Sequence, residues 1–191
     1  MHPRTLLGRP EAGEYGDFFA GYVAQAPEND IVAALESTGT ETVELLRAVS
    51  EQAAGEAPAP GEWSIKEVVG HLCDTERVFS YRLLRLSRFD ATPLPPFEQE
   101  EYVANTHFNT RPLNDLLAEY DELRHATVRL VASLAAEQGR FIGTVGGSPT
   151  SARAMAWVIC GHNRQHLGDL RRNFPALSVG RAYLPQAELR P

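Results

Sequence analysis

Cysteine is scarce in this chain: two thiols, Cys73 and Cys160, in 191 residues. Two thiols make no disulfide framework, so a buried core has to carry the fold, and the pair is expected to pack as small hydrophobes. Lysine is rarer still, with Lys66 alone, and the arginines that carry the remaining positive charge are scattered against a net charge of −7. Nucleic-acid affinity rests on concentrated positive charge, so DNA and RNA are not expected partners. No stretch approaches about eighteen consecutive apolar residues, and the opening Met1 to Gly8 lacks a sustained apolar core. A membrane partner and export are therefore not expected, and a cytoplasmic location is. Alternating strand patterns of any length, internal repeats and low-complexity tracts are missing as well.

What is present is the composition of an ordinary folded chain, 43% hydrophobic and 23% charged, without the polar bias that opposes a core. The length fits one domain, with a core over about 20–174 and a tail over 175–191 that has no strong period. Four long helical patterns fill that core. The first spans about 29–53, with Ile31, Leu35, Val43, Leu46 and Val49 at helical spacing, and ends in a Pro/Gly cluster at 55–61. Ser64 and Glu67 then have the form of a capping box that opens a second helix to about Phe89. A proline-rich loop and a short helix near 98–104 follow. A third helix starts near Pro112 and stops before Gly139, and a fourth runs from about Ser151 to Asn173, where Phe174-Pro175 ends it. Four such amphipathic helices predict an all-α four-helix bundle, and the connection over 90–111, between the second and third, is long enough to cross it.

His162 and His166 stand four residues apart on the fourth helix, so both imidazoles lie on one side, about a turn apart. They share the apolar stripe of Met155 and Ile159. His71 lies two turns into the second helix, beside the series Ile65, Val68, Leu72, Phe79 and Leu83. Three imidazoles can thus converge inside the bundle, near one end. Burying three uncoordinated rings costs about 1–3 kcal/mol for each unsatisfied group, and a divalent cation removes that cost. Neutral imidazole donors suit zinc or nickel ahead of iron or manganese. The alternative is that each histidine is a hydrogen-bonded core residue, and spacing alone does not separate the two readings.

The run Pro60-Gly61-Glu62-Trp63-Ser64-Ile65-Lys66-Glu67-Val68-Val69-Gly70-His71-Leu72, with Asp74-Thr75-Glu76-Arg77 after it, resembles the second-helix signature of the DinB-like superfamily. That superfamily includes the bacillithiol and mycothiol S-transferases. The resemblance continues through Asp90-Ala91-Thr92-Pro93-Leu94-Pro95, Phe108-Asn109-Thr110-Arg111-Pro112-Leu113 and Gly161-His162-Asn163-Arg164-Gln165-His166-Leu167, and covers roughly 20–174. It implies a bundle with a crossed connection, a divalent metal held by His71, His162 and His166, and a transferase or isomerase that activates a low-molecular-weight thiol. Bacillithiol, mycothiol or glutathione would be that thiol, with a small electrophile as second substrate.

A divalent ion with three neutral ligands lowers the pKa of a bound thiol or water, which supplies a nucleophile at neutral pH. A hydrolase using water, and a non-enzymatic stress protein with a structural metal, stand as alternatives on the same ligands. Asp74, three residues after His71, is the catalytic candidate, as a base or as a partner that orients an imidazole, with a surface carboxylate as the alternative; Asp169, three after His166, has the same functional and surface readings. Cys73 and Cys160 each lie two residues from a ligand candidate, which turns their side chains about 200° away. Trp63 is expected to staple the helix entry, and Arg77 and Arg82 to neutralise Glu76 or Asp90 or, at the pocket, to hold a carboxylate of the thiol cofactor. Tyr102, Phe108 and Asn109 are expected at the pocket mouth, and His107 and His125 at the surface. A homodimer is expected from an exposed apolar stripe.

Overall fold

The computed structural model describes residues 7–179; His2 and most of the expected tail, residues 180–191, lie outside the described residues. In chain order the elements are α1 (Asp17–Ala24), α2 (Ile31–Leu46), α3 (Glu51–Gly55), α4 (Ile65–Ser87), α5 (Gln99–Ala104), α6 (Leu113–Ala132), α7 (Ala136–Arg140), β1 (Ile142–Val145), β2 (Ser148–Ser151) and α8 (Ala152–Asn173). Side-chain caps set the starts of three of the four long helices, α6 beginning at Pro112 without one. Asp30 accepts from the amides of Val32 and Ala33 at α2. Ser64 and Glu67 close the expected capping box at α4, at 3.2 and 2.8 Å, and Ser151 accepts from the Ala154 amide at α8. Each such cap is worth about 1 kcal/mol.

Helices α2 and α4 each pack against both α6 and α8, so α2 and α4 occupy opposite corners of the bundle. Direction follows from side-chain contacts. Cys73 meets Leu116 and Glu76 meets Arg124, so α4 and α6 run the same way. Thr42 meets Tyr120 and Leu35 meets Arg124, so α2 runs against them. Parallel neighbours need a return along the full bundle, and residues 88–112 make it. This is the all-α bundle with a long crossover that the sequence predicts.

Several local expectations are corrected. The first pattern is broken at 47–50, because Ser50 turns back to cap a separate α3 through the Ala53 amide. The third stops at Ala132 and restarts as α7, where the Gln138 side chain accepts from the Ala135 amide. Helix α4 ends at Ser87, with Phe89 in the left-handed region and the Asp90 amide reaching back to the Arg85 carbonyl, a Schellman closure. Helix α1 and the β1–β2 hairpin have no counterpart in the sequence reading. The hairpin turns on Gly146 and Gly147, both at positive φ, as a two-residue primed turn requires. It has a task in the fold: Leu94 of the crossover pairs with it, donating to Thr144 and accepting from Gly146 at 2.9 Å each.

Two apolar clusters fill the interior. One gathers Phe19, Leu35, Phe79, Leu83, Val128, Trp157 and Ile159; the other gathers Leu46, Val69, Leu72, Leu116, Leu117 and Leu170, and reaches Leu177 in the short 3-10 turn Pro175–Val179. Between them, in the number order of all four long helices, lie the buried polar residues Thr38, Thr42, Glu76, Arg124, His162 and Asn163, and His71 joins them from one turn earlier on α4.

Candidate metal centre

His71 and His162 belong to that buried polar layer, and the partly buried His166 meets them there. His71 sits on the second turn of α4, and His162 and His166 on consecutive turns of α8. The Nε2 atoms of His71 and His166 lie 3.2 and 3.1 Å from Nε2 of His162, and the three donor atoms fall within 4.8 Å of one another. Glycines let neighbouring elements close on these residues. A Cβ at Gly161 would stand 1.8 Å from the Tyr22 carbonyl oxygen, and one at Gly70 within 2.5 Å of the Phe108 ring. Helix α1 can therefore lie on α8 and set the Tyr22 ring 5.3 Å from that of His162.

Hydrogen bonds among the rings cannot satisfy this geometry. A neutral imidazole nitrogen has either one proton or one in-plane lone pair, yet Nε2 of His162 faces two others. Three nitrogens at about 2.0–2.1 Å from a tetrahedral ion stand roughly 3.3–3.4 Å apart, close to the two distances measured from His162. The residues fit a divalent metal.

Burial also keeps the rings in the neutral form that binds metal. His71 is pushed down to about 3 by burial and by His166. His162 is held well below the ordinary imidazole value by burial and by the charges of His166, His71 and Arg124. His166 is lowered by burial, with Asp169 opposing. Aromatic rings complete the wall. Trp63 lies 4.9 Å from His71 and stacks at 6.5 Å on His166, while Phe79 lies 5.4 Å from His162. Trp63 also packs with the cluster that holds Val68, as a staple would, so it supports both the helix entry and the site.

Two clefts reach the cluster from different sides. A polar one of about 510 Å³ meets His166 and is bordered by Glu62, Trp63, Asp169, Arg172 and Asn173. An aromatic one of about 440 Å³ meets His162 and is bordered by Phe19, Tyr22, Phe79, Arg82 and Phe97. Gln99 touches both.

The carboxylate candidates separate. Asp169 places Oδ2 3.8 Å from Nδ1 of His166 and also pairs with Arg172. Asp74 has its carboxylate 3.9 Å from Arg77, near Glu119, with its pKa raised mainly by burial; among the described residues it makes no hydrogen bond to an imidazole. The expected neutralisation of Glu76 and Asp90 is corrected. Glu76 faces the bundle interior, so its partner comes from across it: Arg124 grips both oxygens, at 3.0 and 2.9 Å. Asp90 pairs with Arg85, Arg77 with Glu119 at 2.6 Å, and Arg82 with no carboxylate among the described residues. Asn109 accepts from Ser64 and Phe108 packs on Gly70, behind the first turns of α4, while Tyr102 packs on Phe97 at the aromatic cleft. Cys73 and Cys160 are free and buried, with the Cys73 thiol pushed up to about 12 by burial. His107 and His125 are exposed.

A helical bundle that turns three neutral imidazoles onto one point, with two clefts leading to it, defines a candidate metal-binding bundle protein. The family model described as the DinB superfamily matches residues 34–170, and the chain belongs to that superfamily. Among solved structures it is similar to YfiT from Bacillus subtilis, described as a probable metal-dependent hydrolase with an unusual four-helix bundle topology. The match has a TM-score of 0.67 and 16% identity, and covers 76% of this chain and 86% of that one. No curated protein matches the chain by sequence. Among the described residues no helix is long and apolar enough to cross a membrane.

Proposed function

We propose that this protein is a metal-dependent transferase that joins a low-molecular-weight thiol to a small electrophile, with zinc or nickel held by His71, His162 and His166. The observation that carries the reading is the pair of clefts meeting one three-histidine cluster on two sides. A reaction of two substrates needs two approaches, and a polar thiol suits the charged cleft while an apolar electrophile suits the aromatic one. When bound, the ion supplies Lewis acidity and makes the thiol proton acidic near neutral pH. Asp169, on the border of the polar cleft, is the carboxylate placed to take that proton. The sulfur then forms a C–S bond as the carbon–leaving-group bond or an epoxide C–O bond breaks. Asp74 is the reserve candidate for this role.

A second reading is supported by the likeness to YfiT: a hydrolase that uses water at the same ligands and needs no thiol. The deciding experiment measures metal content and turnover together, in wild type, His71→Ala and His162→Ala. Aryl halides and epoxides are offered with and without bacillithiol, mycothiol or glutathione, and activated esters are offered without thiol. About one equivalent of metal, with thiol-dependent turnover lost in both variants, is expected. Ester cleavage that ignores thiol would select the hydrolase, and a metal-free wild type would end both readings.

A further inference from the structure

Three arginines are buried in the described structure, and two of them have carboxylates. Arg124 is gripped by Glu76, and Arg153 by Glu14. Arg82 is 5% exposed and has none. Its guanidinium donates to the Pro95 carbonyl at 2.6 Å and stands 5.7 and 5.3 Å from the Phe79 and Phe97 ring centres. A guanidinium has five N–H donors, and no other acceptor within the described residues takes one. Burying a cation without a counter-charge is costly unless a partner arrives. Desolvation lowers its pKa accordingly, with no carboxylate opposing it. Glu98, the one acid that borders this cleft, is exposed at its rim and makes no ion pair with Arg82.

The place of this unpaired charge gives it meaning. Arg82 follows His71 by eleven residues, close to three full turns, so both lie on one face of α4. The Phe79 ring contacts both the Arg82 guanidinium and the His162 ring. One cleft is thus lined by a fixed cation, by the apolar rings of Phe19, Tyr22 and Phe97, and by a metal ligand, with Phe79 between the cation and the ligand. We propose that the aromatic cleft binds small aryl or alkyl carboxylic acids, with the carboxylate paired to Arg82 and the apolar body lying along Phe79 toward the metal site. A single guanidinium matches the charge of a carboxylate and the fork geometry that binds it with two parallel hydrogen bonds. It leaves a phosphate dianion half neutralised, so carboxylate is preferred. The orientation toward the metal rests on the metal-dependent reading above; the anion site itself does not.

The test is calorimetric titration with phenylacetate, its neutral analogue phenylacetamide, and phenyl phosphate, on protein as purified and after chelation. Wild type is expected to bind the acid about tenfold or more tightly than the amide, and more tightly than the phosphate, with the preference falling as salt rises. Arg82→Gln is expected to bring the acid down to the affinity of the amide while metal content stays at the wild-type level. Equal affinity for acid and amide in wild type, or no binding of the acid at millimolar concentration, overturns the proposal without need of a variant. So does an acid preference that survives in Arg82→Gln; if that preference disappears on chelation, the carboxylate sits on the metal instead. A phosphate preference overturns the carboxylate assignment. If wild type holds no metal, the acid-to-amide ratio still reads the Arg82 site, so the two proposals fail separately.

Discussion

Two polar clusters share one buried layer of this bundle, and they are built on opposite plans. In the first, Arg124 grips Glu76, bonds Thr38 and the Leu35 carbonyl, and reaches Asn163, which also accepts from Tyr120 and donates to Thr42. Every member finds its partner inside the chain. In the second, beginning one residue away at His162, three nitrogens of one chemical type face one another and have no complement among themselves. A satisfied buried network holds helices in register; a converging set of like donors is completed only by something the chain does not contain. The difference separates scaffold from site within a single layer.

The comparison breaks most sharply if the scaffold cluster is damaged. Arg124→Met leaves Glu76 as a buried unpaired charge and is expected to cost about 3–5 kcal/mol in urea denaturation. Replacing Glu76 with Leu in the same chain should recover much of that. If Arg124→Met also empties the metal site, the two clusters are one unit and the comparison fails.

At the histidine cluster the expected change lies in linkage. With metal at a hundredfold its Kd, wild type should gain about 2.7 kcal/mol over the chelated protein, a gain absent in His162→Ala. The metal-free protein should also depend on pH in a defined sense. Burial lowers the folded pKa values, to about 3 for His71, while unfolded imidazoles titrate near ~6.5. Between those values the unfolded chain binds more protons, so stability rises with pH through the window and levels off above it. Removing His71 should flatten that slope, measured as denaturation midpoints across the series. The smallest effect is expected at Asp169→Asn, which weakens the second contact of His166 and should lower metal affinity about tenfold, read by competition with a chromogenic chelator.

Much of this was legible in the sequence because its signals are local. The His162/His166 spacing, the Ser64/Glu67 box, and the Pro/Gly cluster at 55–61 each act within a turn or two of the chain. The partners of the buried charges were not legible. Arg77 and Arg82 are the nearest cations to Glu76, yet its partner is Arg124, 48 residues on, chosen by packing and not by spacing. Helix α1 lacks a side-chain cap, and the strands span four residues each, too few for alternation to show. Trp63 was readable as a staple, but its contact with both imidazoles, tilted on His71 and stacked on His166, depends on α8 arriving beside α4.

Gly161 bears on how long an ion stays once it has bound. Because the Tyr22 carbonyl occupies the space of its missing side chain, the residue that permits α1 to cover His162 is itself not a ligand. A single added methyl group would wedge α1 outward and leave all three imidazoles in the sequence. Gly161→Ala therefore separates affinity from residence time: the donors remain, and the rate at which an external chelator strips the ion should increase.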